Sequence, residues 1–594
     1  HNTNYQMKTS PYLLLLLLSL LFVACGPERN PNIVVVHLLN EPPNLHPTNS
    51  NNGYTNQINS LCYQQLMYPG RDNGEMVAEL AQEAVEISED RLTVSFTVRE
   101  DAKWPNGKPI TAEDVVFSYK ILACPLIETG QRAAGIHRVA SFTVDPNNDR
   151  RCTVNFNEYS ITNALIGAST QIMDRTYFDP DNVLGGFSFA ELLSEDSVLL
   201  SDPKLVAWAS SYNDPQMGLD LQRMKSGSGP YRIESWLPQQ QITLVRNPDF
   251  WAKGIKTEKN LFEQGPDKIV YKFVKEDKAV ELQFKQQEID LSYMMSSVTY
   301  DELIESEAVK DGYHLGVVPR NNYAFIALNN DSDGIDHPRI FQDKSVRKAL
   351  ALAQPIDDLI DQVLPGVATR TASPIPPFHP DYNPNIEFLP YDRAKAAEML
   401  DAAGWRDTDG DRIRDKIVDG SRLPLSFTLA YPPNGKALIS LAEKIAEAWR
   451  EIGVEIKLDP QDFRKLNEMA GTGDFDAMMI ALRTPNVPYD FSQIFHSESG
   501  GNFMGYANLA VDELIEKANT TKDLAERKVY MDQIQVDIYE DQPCIFFYNA
   551  TRKLAVHKRF GEANFSPNDP QISITNLSVQ GDWSWDGSKW VEKK

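Results

Sequence analysis

The chain has 594 residues, of which 42% are hydrophobic and 24% charged, and it carries a formal net charge of −25. This length suits several domains with a large apolar core, and the composition excludes both a disordered chain and a protein with many membrane spans. The acidic balance, without a basic tail or stripe, excludes nucleic acid as a partner and argues more weakly against strongly anionic ligands. We interpret the acidity as that of a solvated surface.

The amino terminus has the pattern of an export signal. Residues 1–6 lack an initiator Met, so we expect the natural start at Met7, with a positive charge next to it at Lys8. Residues 13–23 form an apolar run broken only by Ser19, which is shorter than the ~20 residues of a membrane span. We therefore predict a signal peptide over residues 1–24.

The predicted signal ends in Phe22-Val23-Ala24-Cys25-Gly26, which resembles the lipobox of bacterial lipoproteins. The resemblance implies that Cys25 is lipidated and that the protein is attached to a membrane surface without spanning it. Phe22 stands where the pattern usually has Leu. The alternative is a plain cleaved signal with an incidental cysteine.

Four further cysteines follow Cys25. They are Cys62, Cys124, Cys152 and Cys544. Four cysteines allow three pairings if all are oxidised, and buried free thiols are the equally weighted alternative. Their spacing matches no metal site, so we predict none.

The first structured segments follow strand and helix patterns. Residues 33–39 form an apolar strand that runs into a Glu-Pro loop containing Glu41. Residues 92–98 alternate between apolar and polar side chains, as a half-buried strand requires. After a turn, Thr111 and Asp114 resemble a capping box that opens a helix. Trp104, inside the turn, is interpreted as a packing residue.

Residues 227–291 predict a hairpin followed by a β-α-β unit. Gly227-Ser228-Gly229-Pro230-Tyr231 breaks any helix, and the alternation on both sides of residues 238–240 is typical of a hairpin. The hairpin ends in Asn247-Pro248-Asp249-Phe250-Trp251. Strand, helix and strand patterns then cover residues 267–274, 278–286 and 288–291.

The second half of the chain alternates strands and helices, as an α/β lobe requires. A strand over residues 323–329 precedes a helix that Asp343 caps. Arg347 on this helix is either a ligand-binding cation or, as we favour, a structural partner of a nearby carboxylate. Further patterns predict a β-α-β unit over residues 423–458, a strand over 473–480, one amphipathic helix over 511–538 and a returning strand over 544–548.

The acidic turn at residues 407–415 has Asp at alternate positions, as oxygen-rich calcium loops do. Arg412 stands where such a loop needs its sharp-turn Gly, and no Glu occupies the twelfth position. We favour a solvated turn, with calcium binding as the alternative.

Several of these motifs, taken in order, resemble those of the family 5 extracellular solute-binding proteins. They are the run 98–120, the Glu-Pro loop, the Gly-x-Gly-Pro-Tyr strand with its Asn-Pro-Asp-Phe-Trp close, and the strand followed by Asp343-x-x-Val346-Arg347-x-Ala349. That family comprises the dipeptide and oligopeptide receptors of ABC importers. The resemblance implies an α/β, periplasmic-binding-protein-like fold (type II, cluster C), with two lobes, a hinge and a small extra α+β domain.

The resemblance also implies a domain order. Domain I, the first lobe, is expected from residues 25–65, 191–275 and 541–594. Domain II, the small domain, is expected over residues 66–190, and domain III, the second lobe, over residues 276–540.

In peptide-binding members, a carboxylate near the end of a domain III strand typically holds the α-ammonium group of the ligand. Alignment on Pro488 and Phe491 puts this position near the uncharged Thr484. Asp490 is the nearest acid, and if it cannot substitute, Arg483 favours a ligand that bears a carboxylate. The implied ligand-binding residues are Glu41, Asn322, Tyr323, Arg483, Thr484, Tyr489 and Asp490.

The sequence contains no catalytic signature such as GxSxG, HExxH or a P-loop, so we expect a binding protein without a cofactor. The resemblance implies a monomeric, lipid-anchored receptor on the periplasmic side of a bacterial membrane, which delivers oligopeptides to the permease of an ABC importer. The alternatives within the fold are a nickel chelate, an oligosaccharide or a modified peptide as ligand. A surface glycan-binding lipoprotein needs repeats of ~34 residues, which we do not find, and a secreted hydrolase needs a nucleophile and a base.

Overall fold

The computed structural model describes residues 29–48, 52–71, 74–129, 135–194, 196–220, 226–257, 260–331, 337–418, 420–433, 435–484 and 488–593. The predicted signal peptide and Cys25 lie outside these residues. None of the helices in the described part combines the length and the apolar character that a membrane span needs.

The strands are numbered in chain order. They are β1 (Ile33–Leu38), β2 (Met67–Pro69), β3 (Met76–Ala78), β4 (Glu86–Ile87), β5 (Thr93–Thr97), β6 (Val139–Asp145), β7 (Asn148–Phe156), β8 (Tyr231–Leu237), β9 (Gln241–Arg246), β10 (Lys268–Phe273), β11 (Leu291–Ser292), β12 (Tyr313–Pro319), β13 (Asn322–Leu328), β14 (Ala368–Arg370), β15 (Asp415–Val418), β16 (Ser421–Pro424), β17 (Ser426–Tyr431), β18 (Glu455–Pro460), β19 (Ala477–Arg483), β20 (Cys544–His557), β21 (Trp583–Trp585) and β22 (Trp590–Glu592).

The α-helices are numbered in the same way. They are α1 (Gly53–Cys62), α2 (Ala112–Ala123), α3 (Asn163–Ala168), α4 (Arg175–Phe178), α5 (Phe189–Leu193), α6 (Ser197–Leu200), α7 (Pro203–Tyr212), α8 (Asp277–Lys285), α9 (Ser297–Glu305), α10 (Glu307–Gly312), α11 (Lys344–Leu352), α12 (Ile356–Val363), α13 (Arg393–Ala402), α14 (Lys436–Arg450), α15 (Phe463–Thr472), α16 (Ser492–Phe495), α17 (Leu509–Thr520) and α18 (Leu524–Asp541).

One twelve-stranded sheet runs through both lobes. Its order is β18-β17-β19-β13-β20-β11-β1-β10-β9-β8, and β12 and β14 also pair with β20. In the first lobe β1 lies parallel to β10 and β11, and in the second lobe β17 lies parallel to β18 and β19. These parallel pairs are the product of β-α-β crossovers, so the α/β fold predicted from the sequence is confirmed.

The small domain is built on a second, four-stranded antiparallel sheet in the order β4-β5-β7-β6. Val94 and Phe96 of β5 are buried, as their alternation predicts. The backbone N–H of Thr111 donates to Asp114 Oδ2 at 2.9 Å, which confirms the capping box at the start of α2. Trp104 is 2% exposed and therefore is a packing residue.

The second lobe is a sheet covered on both faces. Side chains of β13 alternate between the two cores: Ile326 and Leu328 pack with α11, α12 and α14, whereas Phe325 and Ala327 pack with α15, α17 and α18. This arrangement follows from the period of two in a strand, which sends successive side chains to opposite faces.

The single helix predicted over residues 511–538 is wrong. The structure has two helices, α17 and α18, which pack on each other and are separated by a turn at residues 521–523. Asp523 ends the turn by capping α18, since its Oδ1 accepts from Ala525 N at 2.8 Å and from Glu526 N at 3.1 Å. Apolar periodicity continued across this break and concealed it, while the capping residue marks it.

Sheet pairing bears on the boundary between the lobes. The sequence-based division starts domain III at residue 276, but β11 and β12 both pair with the half of β20 near Val556. These pairings connect residues 291–319 to the strands around β1. We propose that the chain crosses between lobes at residues 319–322, between β12 and β13.

The four cysteines outside the signal region are buried and free within the described residues. The sequence left disulfides and buried free thiols as alternatives, and the structure shows buried free thiols at Cys62, Cys124, Cys152 and Cys544. Burial raises the pKa of Cys62 and of Cys152 to about 12. A thiol with a raised pKa carries little thiolate at neutral pH and is a poor nucleophile.

Candidate functional site

In the crossing that we propose, two chain segments pass between the lobes side by side. One is the turn at residues 320–321 between β12 and β13, and the other is the middle of β20. Arg320 N donates to Ala550 O at 2.9 Å, and Ala550 N donates to Asn322 Oδ1 at 3.2 Å. Side chains that leave these segments lie between the two lobes under this proposal, and we call this region the cleft floor.

Three arginines gather around one carboxylate at this floor, and we call Arg320, Arg483 and Arg552 the arginine cluster. Arg483 Nη2 lies 3.2 Å from Asp569 Oδ2, and Arg552 Nη2 lies 4.0 Å from Asp569 Oδ1. Arg320 has both Arg552 and Arg483 as charged neighbours, with Asp569 as the opposing charge. Because three cations surround one anion, the floor carries an excess of positive charge.

Arg320 is the least satisfied member of the arginine cluster. Burial, followed by the charge of Arg552, lowers the pKa of Arg320 to about 10, although its side chain keeps access to solvent. Within the described ranges its guanidinium makes no hydrogen bond or ion pair with the protein. Arg320 is exposed, so the donors of its guanidinium group are open to solvent and to a ligand.

The loop at residues 564–571 presents Asp569 to the arginine cluster. Arg71 Nε donates to Pro570 O at 2.7 Å, and Arg71 Nη2 donates to Asn564 O at 2.7 Å and to Gln571 O at 2.9 Å. Gln571 Nε2 donates to Asp569 Oδ1 at 2.5 Å. Arg71 therefore fixes the loop backbone, and the Asp569 carboxylate stays at the floor.

Some polar atoms around the arginine cluster have unused hydrogen-bonding capacity. Among the described residues, Arg552 Nε, the Tyr293 hydroxyl and Asn321 Oδ1 are buried without a hydrogen-bond partner. Tyr293 is 7% exposed, and burial raises its pKa, with Arg552 and Asp569 among the charges that act on it. These three atoms have hydrogen-bonding capacity that the described protein groups do not use.

A sequence profile described as "Bacterial extracellular solute-binding proteins, family 5 Middle" matches residues 75–503. The chain belongs to this family. Family 5 solute-binding proteins are substrate receptors and not enzymes, in agreement with the absence of catalytic motifs from the sequence.

Relatives of this family 5 protein match over almost its whole length. The oligopeptide-binding protein AppA of Bacillus subtilis is 25% identical over 563 residues, which cover 93% of this chain and 92% of AppA. The structure of that AppA in complex with a nonapeptide superposes with a TM-score of 0.68 at 24% identity and covers 92% of this chain and 99% of AppA. NikZ of Campylobacter jejuni in complex with Ni(L-His) gives a TM-score of 0.67 at 20% identity, with 89% and 95% covered. These structural likenesses establish the periplasmic-binding-protein-like fold.

Of the ligand-binding residues predicted for this family 5 protein, Arg483 lies in the arginine cluster, and Asn322 and Tyr323 lie beside it. Asn322 pairs with Arg483 across β13 and β19, but its side chain is used by the backbone of Ala550. Tyr323 is 1% exposed and stacks on Phe325 with the ring centroids 5.1 Å apart. Both residues support the floor from within the second lobe.

The structure places Thr484 and Tyr489 inside the second lobe. Thr484 is fully buried, and its hydroxyl donates to Pro374 O at 2.6 Å. Tyr489 N donates to Asp381 Oδ2 at 2.9 Å, and Tyr489 O accepts from Arg527 Nη2 at 2.6 Å. The buried Asp381–Arg527 ion pair thus holds the backbone that leads to Asp490.

Asp490 lies where the second lobe meets the small domain. Its Oδ1 accepts from Asn519 Nδ2 at 2.7 Å and from Ser492 N at 2.8 Å. On the opposite side it interacts electrostatically with Arg138 of the small domain. Its carboxylate is therefore already supplied with donors and a cation.

Glu41 lies on the first-lobe side of the cleft and braces a hairpin. Glu41 Oε1 accepts from Trp236 Nε1 at 2.6 Å, and Glu41 Oε2 accepts from Gln239 N at 3.1 Å. Both carboxylate oxygens are thereby used by the hairpin of β8 and β9. In this arrangement Glu41 positions the Glu-Pro loop.

Arg347 has a structural role, as we favoured, but its partners are main-chain carbonyl groups and not the carboxylate that we expected. It is 7% exposed and donates to main-chain carbonyls, namely Asp541 O at 2.9 Å and Phe341 O at 2.7 Å. Asp541 O is at the carboxyl end of α18, where a cation is stabilised by the helix dipole, and Phe341 O lies shortly before α11. Among the described residues, Arg347 forms no ion pair with a carboxylate.

The acidic turn gathers Asp407, Asp409 and Asp415 with their carboxylate oxygens within 4.8 Å of one another. Asp407 Oδ1 accepts from Gly410 N at 2.7 Å, and Asp409 forms an ion pair with Arg422, which lowers the pKa of Asp409. Turn hydrogen bonds and an arginine thus already use these oxygens. This geometry fits the solvated turn that we favoured, and calcium stays the alternative.

Sequence reasoning missed Arg320, Arg552, Asp569 and Tyr293. Arg320 stands three residues before the start of the predicted strand 323–329, and Asp569 lies in a polar stretch with no periodicity. No local pattern joins these residues, because only the crossing of β20 and the turn at 320–321 brings them together.

Proposed function

We propose that this family 5 protein is the solute-binding subunit of an ABC importer that captures oligopeptides between its two lobes and delivers them to the permease. The observation that carries the proposal is the cleft floor, where unsatisfied polar groups lie between two segments that cross from lobe to lobe. Support for a peptide comes from AppA, named as an oligopeptide-binding protein, which matches over 93% of this chain.

Hinge closure follows from the way the lobes are joined. Two short crossings, at residues 320–321 and in the middle of β20, allow the lobes to rotate without breaking either core. A peptide in the cleft is held through its main chain, as an added strand, while its side chains enter wet pockets. That mode accepts many sequences, which suits a nutrient receptor.

A thermal-shift screen tests this function. We expect mixed-sequence penta- and nonapeptides to raise the melting temperature, because a ligand at 100 times its Kd stabilises the folded state by ~2.7 kcal/mol. The same plate carries nickel with histidine, and a set of oligosaccharides. A shift with the chelate or a sugar, and none with any peptide, would replace the peptide by that solute.

The lipid anchor and the location belong to the same proposal. We infer that Cys25 is lipidated and that the monomeric protein sits on the periplasmic side of a bacterial membrane. In cells, the wild-type protein should fractionate with membranes and a Cys25→Ala variant should not. Equal membrane recovery of both forms would remove the anchor from the proposal.

A further inference from the structure

The charge of the cleft floor is opposite in sign to that of the protein. The whole chain has a formal net charge of −25. At the floor, however, the guanidinium groups of Arg483 and Arg552 face the single carboxylate of Asp569, and Arg320 is a further cation nearby. Arg71, the next cation along, is used by the carbonyls of the loop at 564–571. The positive excess is therefore local and is carried by the arginine cluster.

The arginine cluster also has donors to spare. Among the described residues, the Arg320 guanidinium has no protein partner, and Arg552 Nε is buried without one. The side chain of Arg483 is 64% exposed beside Asp569, so part of its fork faces the cleft.

The residues considered for binding a ligand ammonium group are weaker candidates than the arginine cluster is for binding an anion. Thr484 is neutral and fully buried, with its hydroxyl donated to Pro374 O. The Asp490 carboxylate already accepts hydrogen bonds from Asn519 and Ser492 and interacts electrostatically with Arg138. The Asp569 carboxylate is already opposed by the guanidinium groups of Arg483 and Arg552. Charge recognition in this cleft is thus weighted toward an anionic group.

We propose that the bound ligand places a carboxylate among Arg320, Arg483 and Arg552. This inference rests on the proposed peptide function and names the chemical feature that the peptide presents. A planar guanidinium matches a carboxylate through two parallel hydrogen bonds, which favours a carboxylate over a neutral amide. The carboxylate comes either from the peptide C-terminus or from an acidic side chain.

Calorimetric titration of three matched nonapeptides tests the inference. The first has a free C-terminal carboxylate and no acidic residue, the second is its C-terminal amide, and the third is the amide with one internal Glu. We expect a carboxylate form to bind at least ~10-fold more tightly than the plain amide, the gain of one charge-assisted contact. If the first peptide gains affinity over the plain amide, the carboxylate is that of the C-terminus; if the third gains affinity, it is that of an acidic side chain.

Two variants assign the effect to the arginine cluster. Arg320→Gln and Arg483→Gln should each reduce the preference for the carboxylate form over the plain amide to within about threefold. Arg320 and Arg483 are both exposed, so neither substitution disturbs a core. Arg393→Gln removes an exposed guanidinium paired with Glu451 on the outside of the second lobe and is the matched control.

The outcomes separate the inference from the proposed function. Equal binding of all three peptides by the wild type, or an unchanged preference in Arg483→Gln and Arg320→Gln, would overturn the inference and leave the peptide receptor intact. Binding of none of the three would overturn the peptide function and the inference with it.

Discussion

Asp490 shows at the scale of a residue how a plausible ligand contact depends on its surroundings. The resemblance to peptide receptors offered it as the acid for an α-ammonium group. In the structure its Oδ1 accepts from Asn519 and Ser492, and Arg138 provides the opposing charge. These contacts give Asp490 a role in fixing the position of the second lobe against the small domain.

We therefore expect Asp490→Asn to change the affinity for a free-amine peptide by no more than about fivefold, the effect of one ordinary hydrogen bond. Calorimetry with a peptide and its N-acetyl form measures this. A loss of ~100-fold confined to the free-amine form would restore Asp490 as the partner of the ammonium. Asp532→Asn, which changes an acid on α18 paired with Lys528, is the control.

At the scale of elements, the turn between α17 and α18 connects the second lobe to the small domain. Arg91 Nη2 donates to Lys522 O at 2.7 Å, and Tyr159 Oη donates to Thr521 O at 3.3 Å. Ile161 N donates to Asn519 O at 3.1 Å, and Lys522 Nζ donates to Glu89 O at 3.1 Å. The contacts are polar and exposed, as expected of a surface that must open and close.

Arg91→Ala should loosen this contact without unfolding either domain. We expect the dissociation rate of a bound peptide to rise about fivefold, because one hydrogen bond of the closed form is lost, while the association rate stays nearly constant. Stopped-flow fluorescence measures both rates. Lys253→Ala, at an exposed site of the first lobe, should change neither. An unaltered dissociation rate in Arg91→Ala would show that this contact does not hold the closed form.

The elements that local rules govern could be predicted from the sequence, and those that depend on long-range pairing could not. Alternation identified β5, and capping identified the start of α2, since both signals lie within a few residues. The break between α17 and α18 was missed because apolar periodicity outweighed the cap at Asp523. Arg320, Arg552 and Asp569 come from three separate segments, so no window of sequence contains the arginine cluster.

At the scale of the whole molecule, the first lobe is assembled from distant parts of the chain, and one buried ion pair joins them. Arg559 and Asp290 are 0% and 3% exposed in their side chains. Arg559 Nη2 also donates to Ile33 O at 2.8 Å, and Asp290 Oδ2 accepts from Val35 N at 2.8 Å. The pair therefore connects β1, the entry to β11 and the end of β20.

Asp290→Ala should lower the free energy of unfolding by ~3–5 kcal/mol, because it leaves the Arg559 guanidinium buried and unpaired. Urea denaturation monitored by circular dichroism measures the change. Glu86→Ala, which removes an exposed partner of Arg151, should cost less than ~1 kcal/mol. Equal small effects in both variants would mean that the buried pair contributes no more than a surface pair.

All of these predictions depend on the proposal that this family 5 protein captures a peptide between its lobes. Mass spectrometry of the solute released by denaturing the purified protein tests it most directly, because the protein itself selects what is detected. We predict peptides, enriched in those that carry a carboxylate at the C-terminus or in an acidic side chain. Recovery of only a metal chelate or a sugar from repeated preparations would contradict the claim.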